Sequence, residues 1–174
     1  MPDFLFNSEP HLSPAQLADV TGLGADMQRD WRRRGYIENL GTQSDKGRWL
    51  YDWYDAFIIY LMRQMYEGGC ELSRAQLFAA TIYEDVLSYA IEARFPGKVA
   101  PRCRYHHFFK DPRGRVEDGN WVARPFNSLE SGKIRSVGFL VDCSGLANDL
   151  PGKFDLAIAS LNNSIERDIE GRKG

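Results

Sequence analysis

A complete set of helix start and stop signals stands near the N-terminus, and it constrains the fold more than any other feature of the sequence. The segment LSPAQLADVTGLG places Ser13 as a capping residue, Pro14 at the first helical position and Gln16 three residues after the cap. Ser and Gln at this spacing form a capping box, and proline is favoured where a helix begins. A short helix is therefore predicted, which ends at the Thr21-Gly22 step.

A second helix is predicted over residues 25–34, directly after the turn TGLG. Met27 and Trp31 are four residues apart, so we expect them to lie on one face that points toward the helical core. Gly35 ends this helix, because glycine readily adopts the left-handed conformation found after a helix. Two short helices joined by a tight turn are typical of a helix-turn-helix.

The following segment, YIENLGTQSDKGRWLYD, is typical of a small β-hairpin, or wing. Its ends, residues 36–37 and 49–51, are strand-like, and its centre, residues 41–48, is polar. Lys46 and Arg48 give the predicted tip a positive charge.

Two longer helices are predicted after the wing. Asp52 begins a strongly apolar helix that ends at Gly68-Gly69, and its nearly all-round apolar character indicates a central, buried helix. Ser73 and Gln76 repeat the capping-box pattern, and a further helix is predicted to run to about residue 94.

Positive charge is concentrated locally although the whole chain is slightly acidic. Residues 1–80 carry a net charge of −3, whereas residues 27–51 contain six basic and three acidic side chains. Residues 94–115 contain seven basic side chains and one acidic. A protein that binds phosphates needs local positive charge and not a basic total, so both segments are candidates for nucleic-acid contact.

In order and spacing, these motifs resemble the winged helix-turn-helix domain of MerR-type transcriptional regulators over residues 12–77. The resemblance is carried by LSPAQLADVTGL for the first helix and turn, RDWRRRGYI for the recognition helix, GRWLYDWYD for the return strand of the wing, and GGCELSRAQL for the next turn. It implies binding to double-stranded DNA, with Arg29 facing the DNA, Trp31 packed inward and Tyr51 as the tyrosine of the wing. The chain departs from the family pattern at Gln28, Asp30 and Trp49.

The spacing of the arginines predicts the same DNA-facing surface without the family resemblance. Arg29 and Arg33 are four positions apart and Arg32 is three beyond Arg29, so a helix places them in one cationic stripe. Arginines on such a stripe can reach phosphates or guanine edges. The opposing interpretation is that the basic run only complements the dipole at the helix end. The predicted DNA-binding residues are Arg29, Arg32, Arg33, Lys46, Arg48 and Tyr51.

The second half of the chain predicts a small α+β module. CRYHHFFK and NWVARPF read as strands, and IRSVGFLVDC alternates apolar residues onto one face. A last helix from about residue 149 has an apolar stripe that either covers the sheet or pairs with a second copy. The predicted class is α+β, with a winged helix-turn-helix over residues 1–72 and the α+β module over residues 73–174.

The basic segment of this module has three possible roles: an extension of DNA contact, a pocket for an anionic effector, or a solvated sheet face. Its basic residues are Arg102, Arg104, Lys110, Arg113 and Arg115, with Arg94 and Lys98 before them.

No catalytic, cofactor or metal site is predicted. Cys103 and His107 fall on one face of a strand, but no further ligand is recognisable, and tetrahedral zinc takes four. We expect one core and one surface histidine at positions 106 and 107. The sequence shows no readable nucleophile-base arrangement and no glycine-rich phosphate loop, so an enzyme is not expected. Three widely spaced cysteines, no secretory leader and no membrane-length apolar run indicate a cytoplasmic protein.

The sequence therefore supports three hypotheses. The first is a bacterial or phage transcriptional regulator that binds DNA as a homodimer. Its C-terminal module would supply dimerisation, sensing of a small-molecule or protein effector, or contact with a partner. The second is an excisionase-like, architectural or packaging factor that binds DNA for another purpose. The third is a protein-interaction module that uses the helix-turn-helix as a scaffold.

Overall fold

The computed structural model describes residues 10–110, 121–129 and 138–171, without the side chains of residues 164–171. It confirms the predicted α+β class, since N-terminal helices are followed by antiparallel strands. The helices are α1 (Pro14–Thr21), α2 (Ala25–Arg33), α3 (Trp53–Glu67), α4 (Leu72–Arg94), α5 (Cys143–Asn148) and α6 (Asp155–Gly171). The strands are β1 (Thr42–Gln43), β2 (Trp49–Leu50), β3 (Tyr105–Lys110), β4 (Trp121–Phe126) and β5 (Gly138–Asp142). None of the helices in these ranges is both long and apolar enough to cross a membrane.

The chain divides into two compact units, one containing the residues up to Tyr83 and those from Pro151 onward, and the other Glu84–Leu150. This division differs from the predicted boundary between residues 72 and 73. The boundary falls within α4, and the last helix is grouped with the N-terminal residues.

Local capping decides where the helices of the first unit begin. The predicted box at α1 is confirmed, because the Ser13 hydroxyl accepts from the Gln16 amide and the Gln16 side chain accepts from the Ser13 amide. Asp52 and Asp55 form a second box at α3. The box predicted at Ser73 is wrong. Here the Glu71 carbonyl accepts the first helical hydrogen bond, from the Ala75 amide at 3.1 Å, so Ser73 already lies inside α4.

The wing is a hairpin in which Thr42 pairs with Leu50 and Gln43 with Trp49. Its return strand agrees with the prediction, but residues 36–37 are not its first strand. The Tyr36 amide donates to the Trp31 carbonyl at 2.9 Å, so this backbone forms the turn after α2 and is not free to pair with β2.

Gly41 enters the wing in a conformation that only glycine adopts easily. Its φ is 79°, and an added Cβ would lie 2.9 Å from the Tyr51 ring. We expect Gly41→Ala to lower the free energy of unfolding by at least about 1–2 kcal/mol, the cost of a left-handed non-glycine residue. Gly152→Ala is the control, because its Cβ would make only ordinary contact, 3.6 Å from an Asp155 oxygen. Equal stability of the two variants in urea titrations would contradict this account.

The second unit contains an antiparallel sheet of order β4-β3-β5. In the register, His107 lies between Arg124 of β4 and Leu140 of β5. The predicted apolar alternation of the last strand extended from residue 137 to 143. Residue 137 lies outside the described residues, and Cys143 begins α5, because the Asp142 carboxylate accepts from the amides of Ser144 and Gly145. The sequence did not predict this short helix.

The segment that begins the last helix packs within the first unit. Phe154, in the short 3₁₀ turn Gly152–Phe154 that precedes α6, is fully buried. Its ring lies 5.6–5.8 Å from the rings of Trp53, Phe57 and Tyr60 on α3. Of the predicted stripe, Ile158 and Leu161 are also buried, and Ile165 and Ile169 lie outside the described side chains.

Candidate nucleic-acid interface

Two buried side chains fix the orientation of α2. The Gln28 amide donates to the carbonyls of Pro14 and Leu23 at 2.9 and 2.7 Å, which ties α2 to α1 and to the turn between them. Trp31 is 2% exposed, and its ring meets the Tyr66 ring edge-on at 6.0 Å.

The prediction that Met27 points inward beside Trp31 is wrong, because Met27 is 43% exposed and Gln28 is buried in its place. From this buried position the Gln28 amide nitrogen donates to two backbone carbonyls, whereas the thioether of Met27 has no hydrogen to donate. The buried face of α2 is thus 28 and 31, and the face with Arg29 and Arg33 is turned outward.

The exposed arginines of α2 are paired with acidic neighbours on the same helix. Arg29 contacts Asp26, and Arg33 donates to Asp30 at 2.6 Å. Arg34 also reaches Asp30, at 3.4 Å. The hydrogen bond from Arg33 lowers the pKa of the Asp30 carboxyl, and Arg34 lowers it further.

These pairs leave the arginines available to another anion. The side chains of Arg29 and Arg33 are 76% and 79% exposed, and ion pairs at such exposure contribute little to stability. A phosphate can therefore replace the carboxylate at little cost. Asp30, which departs from the family pattern, limits the positive charge of this face without removing it.

Arg32 is different from its neighbours because its partly buried guanidinium contacts the residues that flank and form the return strand of the wing. Nη2 donates to the Leu40 carbonyl at 2.6 Å and to the Tyr51 hydroxyl at 3.3 Å. The guanidinium carbon also lies 3.5 Å from the centre of the Trp49 ring. The predicted stripe of three arginines is therefore reduced to Arg29 and Arg33. Arg34, the C-cap residue of α2, is also exposed.

Tyr51 is buried inside the fold, although it was predicted among the DNA-binding residues. It is 2% exposed, and its backbone exchanges hydrogen bonds of 2.9 Å with Leu12. The tyrosine that the family resemblance placed on the contact surface thus anchors the base of the wing.

The tip of the wing carries Lys46 and Arg48, both exposed as predicted. The Ser44 amide donates to the Arg48 carbonyl at 2.8 Å, and the Gly47 amide closes the turn on the Ser44 carbonyl. Among the residues that the structure describes, neither Lys46 nor Arg48 has an acidic partner. Both cations are therefore open to a new anion.

In the basic segment of the second unit, two of the described residues are paired with acidic side chains. Arg104 lies 3.3 Å from Asp142 and Arg102 lies 4.0 Å from Glu84, so each has an acidic partner. Lys110 is at the far end of β3, next to the Trp121 ring. Arg113 and Arg115 lie outside the described residues.

Both histidines of β3 are buried, whereas one had been expected at the surface. His106 Nε2 lies 2.8 Å from an Asp85 oxygen. Burial lowers the pKa of His107, and the nearby Arg124 lowers it further. Within the described ranges, no three His, Cys, Asp or Glu side chains are grouped to hold a metal ion.

No protein-family model matches the chain, and no curated protein matches it. The resemblance of residues 12–77 to MerR-type domains therefore remains a prediction from the motifs.

Proposed function

We propose that the chain is a sequence-specific, double-stranded DNA-binding transcriptional regulator of MerR-like type. In this proposal α2 enters the major groove and the wing tip meets the flanking phosphates. The observation that carries it is the outward arginine face of α2, in one compact unit with an exposed wing whose tip is basic.

The chemistry of the two elements is complementary. Arginines on the exposed face of a helix, here Arg29 in the middle of α2 and Arg33 at its C-terminal end, are suited to guanine edges and phosphates. The flexible ammonium of Lys46 and the guanidinium of Arg48 suit the backbone, which sets position and affinity. We further propose a cytoplasmic homodimer, because paired half-sites multiply the limited affinity of one small domain. We assign the binding of a small-molecule or protein effector to the second unit.

An excisionase-like, architectural or packaging factor would use the same interface. The position of the bound sites distinguishes the two: sites that overlap promoters support regulation, and recombination or packaging sites support the second role. The acidic balance of residues 1–80 favours a third candidate, a protein-interaction module, which requires no DNA binding.

The test is duplex binding by the intact protein between 50 and 200 mM salt, after selection of a preferred sequence from random duplexes. The candidate interface has five exposed cations: Arg29, Arg33, Arg34, Lys46 and Arg48. Because each phosphate contact contributes about −0.9 to the slope of log K against log salt, we expect a slope of about −4 to −5 per copy. The selected sequence should bind roughly 1,000-fold more tightly than a scrambled duplex. A slope near zero, or no saturable binding at 50 mM salt, would exclude both DNA-binding roles.

A further inference from the structure

The wing, residues 41–50, is too small to hold its own position. Each of its strands has two residues, and isolated two-stranded hairpins are at best marginally stable in water. Its place relative to α2 must therefore be fixed by contacts with the rest of the first unit.

Arg32 supplies such contacts on both sides of the wing. Before the wing, its guanidinium donates to the Leu40 carbonyl at 2.6 Å. Within the return strand the same guanidinium lies over the Trp49 ring, and directly after the wing it donates to the Tyr51 hydroxyl. One planar cation thus joins α2 to the chain segments that enter and leave the hairpin.

The geometry requires arginine specifically. The planar guanidinium lies over an aromatic ring while its N–H groups donate hydrogen bonds in the plane of the guanidinium. The compact ammonium of lysine cannot make both kinds of contact at once. A hydrogen bond from a charged donor to a backbone carbonyl is also stronger than a neutral one.

We propose that Arg32 is a positioning residue that fixes the wing relative to α2, so that Arg48 and the arginines of α2 contact the same duplex. The inference rests on the proposed DNA binding, and it removes Arg32 from the set of direct contacts. Its effect on DNA is exerted through the wing.

A double-mutant cycle tests this coupling. Arg48→Ala should weaken duplex binding about fivefold in the parent, because one phosphate is no longer bound, but less than about twofold in an Arg32→Ala or Arg32→Lys background. Arg32→Lys keeps the positive charge. If Arg32 contacts a phosphate directly, the Arg32→Lys variant should retain most of the affinity for the duplex; if Arg32 positions the wing, this variant should lose as much affinity as Arg32→Ala. Additive losses, or full affinity in Arg32→Lys, overturn the proposal.

Arg63→Ala is the matched control, because Arg63 also donates to a backbone carbonyl, that of Thr21 at 2.8 Å, and its acidic partner is Glu67 of the same helix. Its effect should be additive with that of Arg48→Ala. In the free protein, Arg32→Lys should accelerate hydrogen exchange at the Ser44 amide by about tenfold, and Arg63→Ala should not. This measurement needs no DNA, so it distinguishes failure of the positioning role from failure of the proposed function; unchanged exchange overturns the positioning role.

Discussion

Arg29→Ala combined with Arg33→Ala is expected to weaken duplex binding by about 100-fold or more at 100 mM salt. The two side chains are highly exposed on the outward face of α2, and removal of an arginine that binds a base or a phosphate costs roughly 1–3 kcal/mol. The salt slope should also become smaller by about one unit for each phosphate that the variant no longer binds. Fluorescence anisotropy with a labelled duplex across a salt series measures both quantities.

Asp30→Asn is the informative control because its effect should have the opposite sign. It removes the carboxylate that pairs with Arg33 and Arg34, so those side chains become free for phosphate. We expect binding to a non-specific duplex to become several-fold tighter. If the double arginine variant binds like the parent, or if Asp30→Asn weakens non-specific binding, α2 is not the DNA-contacting helix.

Phe154→Ala is expected to lower the free energy of unfolding of the first unit by about 3–5 kcal/mol. Phe154 is fully buried and packs against three aromatic rings of α3, so the substitution leaves a cavity at the point where the last helix joins the unit. Urea unfolding followed by far-ultraviolet circular dichroism measures the change.

Leu156→Ala, two residues later, provides the comparison. Leu156 is 81% exposed, and surface substitutions usually change stability by less than about 0.5 kcal/mol. Similar effects of the two substitutions would show that the start of the last helix does not pack on α3 as described.

The helix starts were predictable where the signal is local. Ser13 with Gln16, and Asp52 near the start of α3, act through hydrogen bonds that span three residues, and both boxes are present. The same reasoning failed at Ser73, because the pattern does not state which residue accepts the first helical bond. The burial of Met27 was also mispredicted. The spacing of apolar residues does not show that the neighbouring Gln28 has backbone carbonyls to which its side chain can donate.

The sequence predicted which two elements carry the exposed basic side chains, but it did not predict every residue that they expose. Sequence placed basic side chains on one helix and one hairpin, and the exposure of Arg29, Arg33, Lys46 and Arg48 agrees with it. Arg32 looked equivalent to its neighbours because helical spacing treats all of them alike. Its partners Leu40 and Tyr51 lie eight and nineteen residues away, beyond the reach of any local pattern.

The sequence by itself determined the two N-terminal helices, the basic-tipped hairpin and the α+β class, because capping, periodicity and turn signals act between residues a few positions apart. Only the tertiary structure decided that Arg32 is held against Leu40, Trp49 and Tyr51, that Tyr51 is buried, and that Phe154 joins the last helix to α3. Those outcomes depend on which distant side chain fills a space or satisfies a polar group, and that is settled only when the chain has packed.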